Sequence, residues 1–148
     1  MTDWLVYHSQ KTMGHSYASL ARHAVYSKSE QRKLCFGDWI WVVEGSTDIP
    51  TRYTLVDCFQ YADTEYPPFR APYNGFAVNI IGKESRLAAP APLEMAEDWQ
   101  THIRDRFLTK QRFFVNLAAE PQVVAGLQAQ LGEAQPSSAA ASDTVAGA

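Results

Sequence analysis

The stretch that most constrains this chain runs from Arg32 to Glu44, Arg-Lys-Leu-Cys-Phe-Gly-Asp-Trp-Ile-Trp-Val-Val-Glu, where a Gly-Asp turn launches a strand with tryptophans at alternate positions. Side chains alternate across a strand, so Trp39, Trp41 and Val43 share one face while Ile40, Val42 and Glu44 share the other. One of these faces has to be core. If the aliphatic face packs inward, the tryptophans look into a groove; if the tryptophans pack inward, they are large core residues.

The strand is one element of a mixed α+β pattern. Trp4 to His8 reads as a first strand, followed by the polar run Ser9 to Ser16. Apolar spacing at Tyr17, Leu20, Ala21, Ala24 and Val25 predicts a helix to about Tyr26, capped by Ser16. Asp38–Glu44 and Arg52–Tyr61 form a hairpin across the turn residues Gly45 to Pro50. The segment from Ala62 to Gly75 is rich in proline and aromatics and predicts an ordered loop lying over the sheet. Phe76 to Ile81 is a further strand. Pro92 suits the first turn of a helix of about four turns, with Met95, Ala96, Trp99, Ile103 and Phe107 as its buried stripe. A short strand from Arg112 to Leu117 precedes a last helix that opens at Pro121, buries Val124, Leu127 and Leu131, and stops at Gly132.

This order does not alternate as a doubly wound sheet would, and it predicts an α+β domain on a small, strongly curved sheet flanked by about three helices. At 148 residues the chain has the length of one domain. The domain is expected over residues 1–132, with an Ala/Ser-rich disordered tail over 133–148. Met1-Thr2-Asp3-Trp4 lacks the basic start and apolar core of an export signal, and no stretch is long and apolar enough for a membrane span. Both point to the cytoplasm, with Cys35 and Cys58 reduced among apolar neighbours.

The formal charge of −3 argues against non-specific coating of nucleic acid, which relies on many Lys and Arg contacts to phosphates. Local patches remain. Arg22, Lys28, Arg32 and Lys33 stand against Glu30 alone over residues 17–37, and Arg104, Arg106, Lys110 and Arg112 against Asp105 over 99–112. Each patch is either a solvated face or a phosphate contact. His8 and His15 flank a loop with Ser9, Lys11, Thr12 and Ser16, a set able to support acid–base or nucleophilic chemistry. Asp57, between Val56 and Cys58 in a strand, requires a donor such as Arg52 or Lys33. Asp38 is expected to accept backbone N–H groups in the turn before its strand. No zinc spacing, phosphate-binding glycine loop or Gly-x-Ser-x-Gly elbow is present, so neither a catalytic residue nor a metal ligand is assigned, and no cofactor is expected.

A first strand ending in a small polar residue, then a helix, then basic-Leu-x-x-Gly-Asp-aromatic-aliphatic-aromatic, then Tyr53-Thr54-Leu55-Val56-Asp57-Cys58-Phe59, resembles the PUA-like superfamily, in particular its EVE and YTH members. The resemblance covers about Trp4 to Phe59. It implies a small β-barrel flanked by helices that holds a modified or flipped-out nucleobase of DNA or RNA in an aromatic cage. The residues it implies for that cage are Ser9, Tyr17, Trp39, Trp41 and Tyr53, with Arg22, Lys28, Arg32 and Lys33 toward the phosphates. Two further readings stand beside it. One is a small enzyme acting on a nucleoside or nucleic acid through His8 and His15, and the other is an adaptor that meets a protein partner through the aromatic loop at residues 65–75.

Overall fold

The run Trp4-Leu5-Val6-Tyr7 is apolar on both sides, and the strand that contains it, β1 (Asp3–Ser9), is covered on both sides. A computed structural model describes residues 1–110 and 112–134, and among these the chain is an α+β protein with eight strands in two sheets and three α-helices. The larger sheet has the order β7 (Ala91–Leu93), β4 (Tyr53–Gln60), β3 (Trp39–Gly45), β1, β8 (Phe114–Asn116). The smaller has the order β2 (Ala24–Ser27), β6 (Val78–Ile81), β5 (Asp63–Glu65). They are not closed into a barrel.

β1 and β3 run parallel in register from Asp3 opposite Trp39 to Ser9 opposite Gly45. A parallel pair needs a long crossover. Here it holds α1 (Gln10–Met13), a 3₁₀ turn (Tyr17–Leu20) and β2. The Gly-Asp turn that delivers the chain to β3 has Gly37 at φ +90°, a conformation glycine tolerates best. Asp38 is buried there and accepts from the Thr2 N–H, the Cys35 N–H and the Trp4 indole N–H, each at 3.0 Å. Burial alone would raise its carboxyl pKa, but those donors hold it below the ordinary range.

Three layers result. Leu5, Trp41, Val43, Leu55 and Cys58 point from the larger sheet to the helices, where Trp99, Ile103, Phe107, Val123, Leu127 and Leu131 complete one core. The helices are α2 (Asp98–Ile103), which continues as a π turn over Arg104–Leu108, and α3 (Pro121–Ala134). Trp4, Val6, Ile40, Val42 and Phe59 point the other way and form a second core with Val25, Val78 and Ile80 of the smaller sheet. Both faces of β3 are therefore core, where the sequence reading required only one.

Several expectations change. The helix expected to run to Tyr26 is a single 3₁₀ turn, ended by Ala21 at φ 54°, after which Ala24–Ser27 pairs with β6. Cross-strand pairing has overridden an apolar spacing that suited either structure. The helix expected at Pro92 begins at Asp98, because Ala91–Leu93 adds to the edge of β4, where proline's missing N–H costs no ladder bond. Trp99, Ile103 and Phe107 are buried as that stripe required, while Ala96 is exposed. The 62–75 segment lies over the smaller sheet, with Phe69 and Tyr73 on Tyr26, but contributes β5 as well. α3 buries Val123 more fully than Val124 and runs two residues past Gly132. Both cysteines are free thiols, Cys58 in the core and Cys35 exposed rather than among apolar neighbours. From residue 135 onward the expected tail lies outside the described residues. No helix among the described residues is long and apolar enough to cross a membrane.

Candidate functional site

A β-bulge sets the geometry of the site. Leu55 lies opposite Val43 and Asp57 opposite Val42, so Val56 is an extra residue on β4. In a regular strand Leu55 and Asp57 would share a face. With the bulge, Leu55 enters the helix-side core while Asp57 turns to the other side, the kind of re-aiming for which bulges are used. Its carboxylate is 2% exposed and accepts three hydrogen bonds, from the Tyr17 hydroxyl at 2.6 Å, His23 Nδ1 at 2.7 Å and the Cys58 N–H at 2.8 Å. Burial, followed by the Asp57 charge, drives the Tyr17 phenol well above its ordinary pKa, so it remains a donor. The donors expected for Asp57 were Arg52 or Lys33. Arg52 instead lies 3.9 Å from Asp48, and Lys33 is exposed.

On the same face, His8 sits opposite Glu44 in the β1–β3 register, with Nε2 and Oε2 4.0 Å apart. His8 Nε2 is 2.9 Å from the His15 carbonyl, which only accepts, so Nε2 carries the proton in the neutral ring. Burial lowers the His8 pKa, against weaker opposing effects from that carbonyl and from Glu44. His15 is held by the Ser16 carbonyl at Nδ1 and by the Tyr73 hydroxyl at Nε2. Glu44 also accepts the Tyr17 N–H at 2.6 Å. A polar seam thus runs from Tyr73 through His15, His8 and Glu44 to the backbone of Tyr17, whose hydroxyl meets Asp57 and, beyond it, His23.

The seam separates two cavities. One, of about 310 Å³, lies at the end of β1 between β2 and the β8 edge, walled by Tyr7, Tyr26, Phe76, Phe113 and Phe114, with His8, Gln31 and Lys28 as polar lining. The other, of about 420 Å³, is lined by Tyr17, Arg22, His23, Glu44, Thr54 and Asp57 with small apolar residues. Among the described residues no group of three His, Cys, Asp or Glu side chains is arranged to hold a metal ion.

The residues singled out from the sequence are not brought together. Trp41 is 1% exposed in the helix-side core and its indole donates to Asp3. Trp39 is half-buried beneath the Arg86 guanidinium, 4.9 Å from the ring centroid. Tyr53 is buried in the helix-side core. Ser9 caps α1, its hydroxyl accepting the Thr12 N–H. Tyr17 lines the second cavity. Of the basic residues, Lys28 lines the aromatic cavity, Arg22 is paired with both Glu65 oxygens at 3.2 Å, Arg32 is 3.5 Å from Glu30, and Lys33 is exposed. His8 and His15 do meet, their rings 5.3 Å apart. His23, Glu44 and Tyr26 were missed, since only the bulge and the crossover place them, and Asp57 within an apolar strand was the one signal of the seam. No family model and no curated protein sequence matches the chain.

Proposed function

We propose that the protein is a nucleic-acid-binding module of the PUA-like kind, holding a planar base in the aromatic cavity at the end of β1. The carrying observation is that cavity itself. Five aromatic rings and an aliphatic floor enclose about 310 Å³, at the small end of the range of about 300–1,000 Å³ for small-molecule sites, with Lys28 beside the Phe76 ring. Flat rings offer stacking to any base, and a few polar groups then select its edge. The reading keeps the expected class of ligand, DNA or RNA with a modified base, but moves its site from the tryptophans to Tyr26 and its neighbours.

The other readings have less support. His8 Nε2 and both His15 nitrogens are already hydrogen-bonded, which leaves little for catalysis by that pair. In the 65–75 loop, Tyr66 is exposed, but Phe69 and Tyr73 are spent on Tyr26.

Fluorescence anisotropy with labelled single- and double-stranded oligonucleotides, unmodified and methylated, tests the proposal. Stacking on one ring is worth about 1–3 kcal/mol. Tyr26→Leu should therefore weaken binding roughly 5- to 150-fold, and Trp39→Leu should leave it unchanged. Loss with Trp39→Leu alone would return the site to the tryptophan strand, and no binding by the folded wild-type protein would end the proposal.

A further inference from the structure

The second cavity contains a nitrogen, His23 Nε2, that the aromatic pocket does not use. His23 Nδ1 lies 2.7 Å from the Asp57 carboxylate, which only accepts, so the neutral ring carries its proton on Nδ1 and presents a bare lone pair at Nε2. Nε2 has no hydrogen bond among the described residues. The His23 side chain is 36% exposed and lines the cavity of about 420 Å³, while Asp57 behind it is 2% exposed. A buried carboxylate that fixes the tautomer of an accessible imidazole is the arrangement a general base needs. The β-bulge supplies it, and the Tyr17 hydroxyl donates to the same carboxylate oxygen, Oδ2, while the Cys58 N–H holds Oδ1.

The lining selects a substrate class. The charged groups facing the cavity are Asp57, Glu44 and Arg22, and the Arg22 guanidinium is occupied by Glu65. Two carboxylates against one neutralised cation disfavour a phosphodiester or any other anion. The remaining walls include Ala18, Ala21, Ala88 and Pro90, which suit a small uncharged group, with the Thr54 hydroxyl among them.

We propose that His23 and Asp57 form a general-base dyad that hydrolyses small uncharged carboxylic esters in this cavity. His23 Nε2 takes a proton from water as the water oxygen bonds to the ester carbonyl carbon. The tetrahedral intermediate then expels the alcohol, which receives that proton from Nε2, leaving the acid and a neutral imidazole. Water is the only co-reactant. This inference is independent of base binding in the aromatic cavity.

The test is steady-state hydrolysis of para-nitrophenyl acetate by the full chain and two variants. His102→Gln supplies the control, because His102 is also paired to a carboxylate, Glu120 at 2.9 Å, but lines none of the cavities described. The expected result is saturable turnover that falls about 10²-fold or more in His23→Gln and is unchanged in His102→Gln. Because His23 is at the surface, retained circular dichroism in that variant separates lost chemistry from lost folding. Non-saturable hydrolysis, or equal rates in wild type and His23→Gln, would overturn the proposal and leave His23 as a structural partner of Asp57.

Discussion

The two faces of the larger sheet are built from the same strands and end differently. On the helix side, Leu5, Trp41, Val43, Leu55 and Cys58 are apolar from one end to the other, and α2 and α3 seal them. On the opposite side, Trp4, Val6, Ile40, Val42 and Phe59 are equally apolar, but the face then gives way to His8, Glu44 and Asp57. The smaller sheet covers only the apolar part. Where the cover stops, the seam and the two cavities begin. A closed face can be rebuilt by packing alone. An open face must satisfy each polar group individually, and the seam does so with one hydrogen bond after another.

Replacing Trp41 tests the closed face. Trp41→Ala removes a large, fully buried ring and should cost about 3–5 kcal/mol, read as a drop in the chemical-denaturation midpoint. If the variant keeps its stability and loses oligonucleotide binding instead, the two faces have been assigned the wrong way round.

A smaller effect is expected on the open face. Asp57→Ala leaves the Tyr17 hydroxyl and His23 without their acceptor. Hydrogen bonds to buried charged groups are worth about 1.5–3 kcal/mol each and are not additive, so a loss of about 2–3 kcal/mol is expected in the same assay. A loss below about 0.5 kcal/mol, within the range of an ordinary surface substitution, would mean that the seam does not hold the fold.

This division explains what was legible in the sequence. The Gly37-Asp38 turn before Trp39 and the turn residues Gly45 to Pro50 between the two strands marked both central strands, because turns depend on local chemistry. The identity of the second face did not follow. Val25 and Tyr26 suit a helix face as well as a strand, and only the partner β6, more than fifty residues away in the chain, decides between them. Pro92 read as a helix start for the same reason, since its role in β7 depends on β4. The site was least legible because its acceptor is aimed by a bulge. One extra residue, Val56, changes which side Asp57 faces, and nothing in Leu-Val-Asp-Cys announces it. His8 and His15 are close in the chain, whereas His23 falls within the stretch before Tyr26 whose apolar spacing predicts a helix that does not form.

The least disruptive test concerns His8, the residue at which the apolar part of the second face ends. Its folded pKa lies below the ordinary value of 6.5 because of burial, so between the two values the unfolded chain binds more protons than the folded one. Stability from this residue is therefore complete above pH 6.5 and is lost as pH falls toward the folded value. Asp38 also has a lowered pKa, but its contribution is lost only below its ordinary value of 3.8, so the two windows separate. Thermal denaturation of the wild type should show a midpoint that declines as pH falls from 6.5 toward 4.5, a window chosen to stay above 3.8, and His8→Gln should reduce that decline while preserving a donor to the His15 carbonyl. If the variant follows the wild-type curve, His8 does not carry the proton linkage, and the open face is insulated from solvent as thoroughly as the closed one.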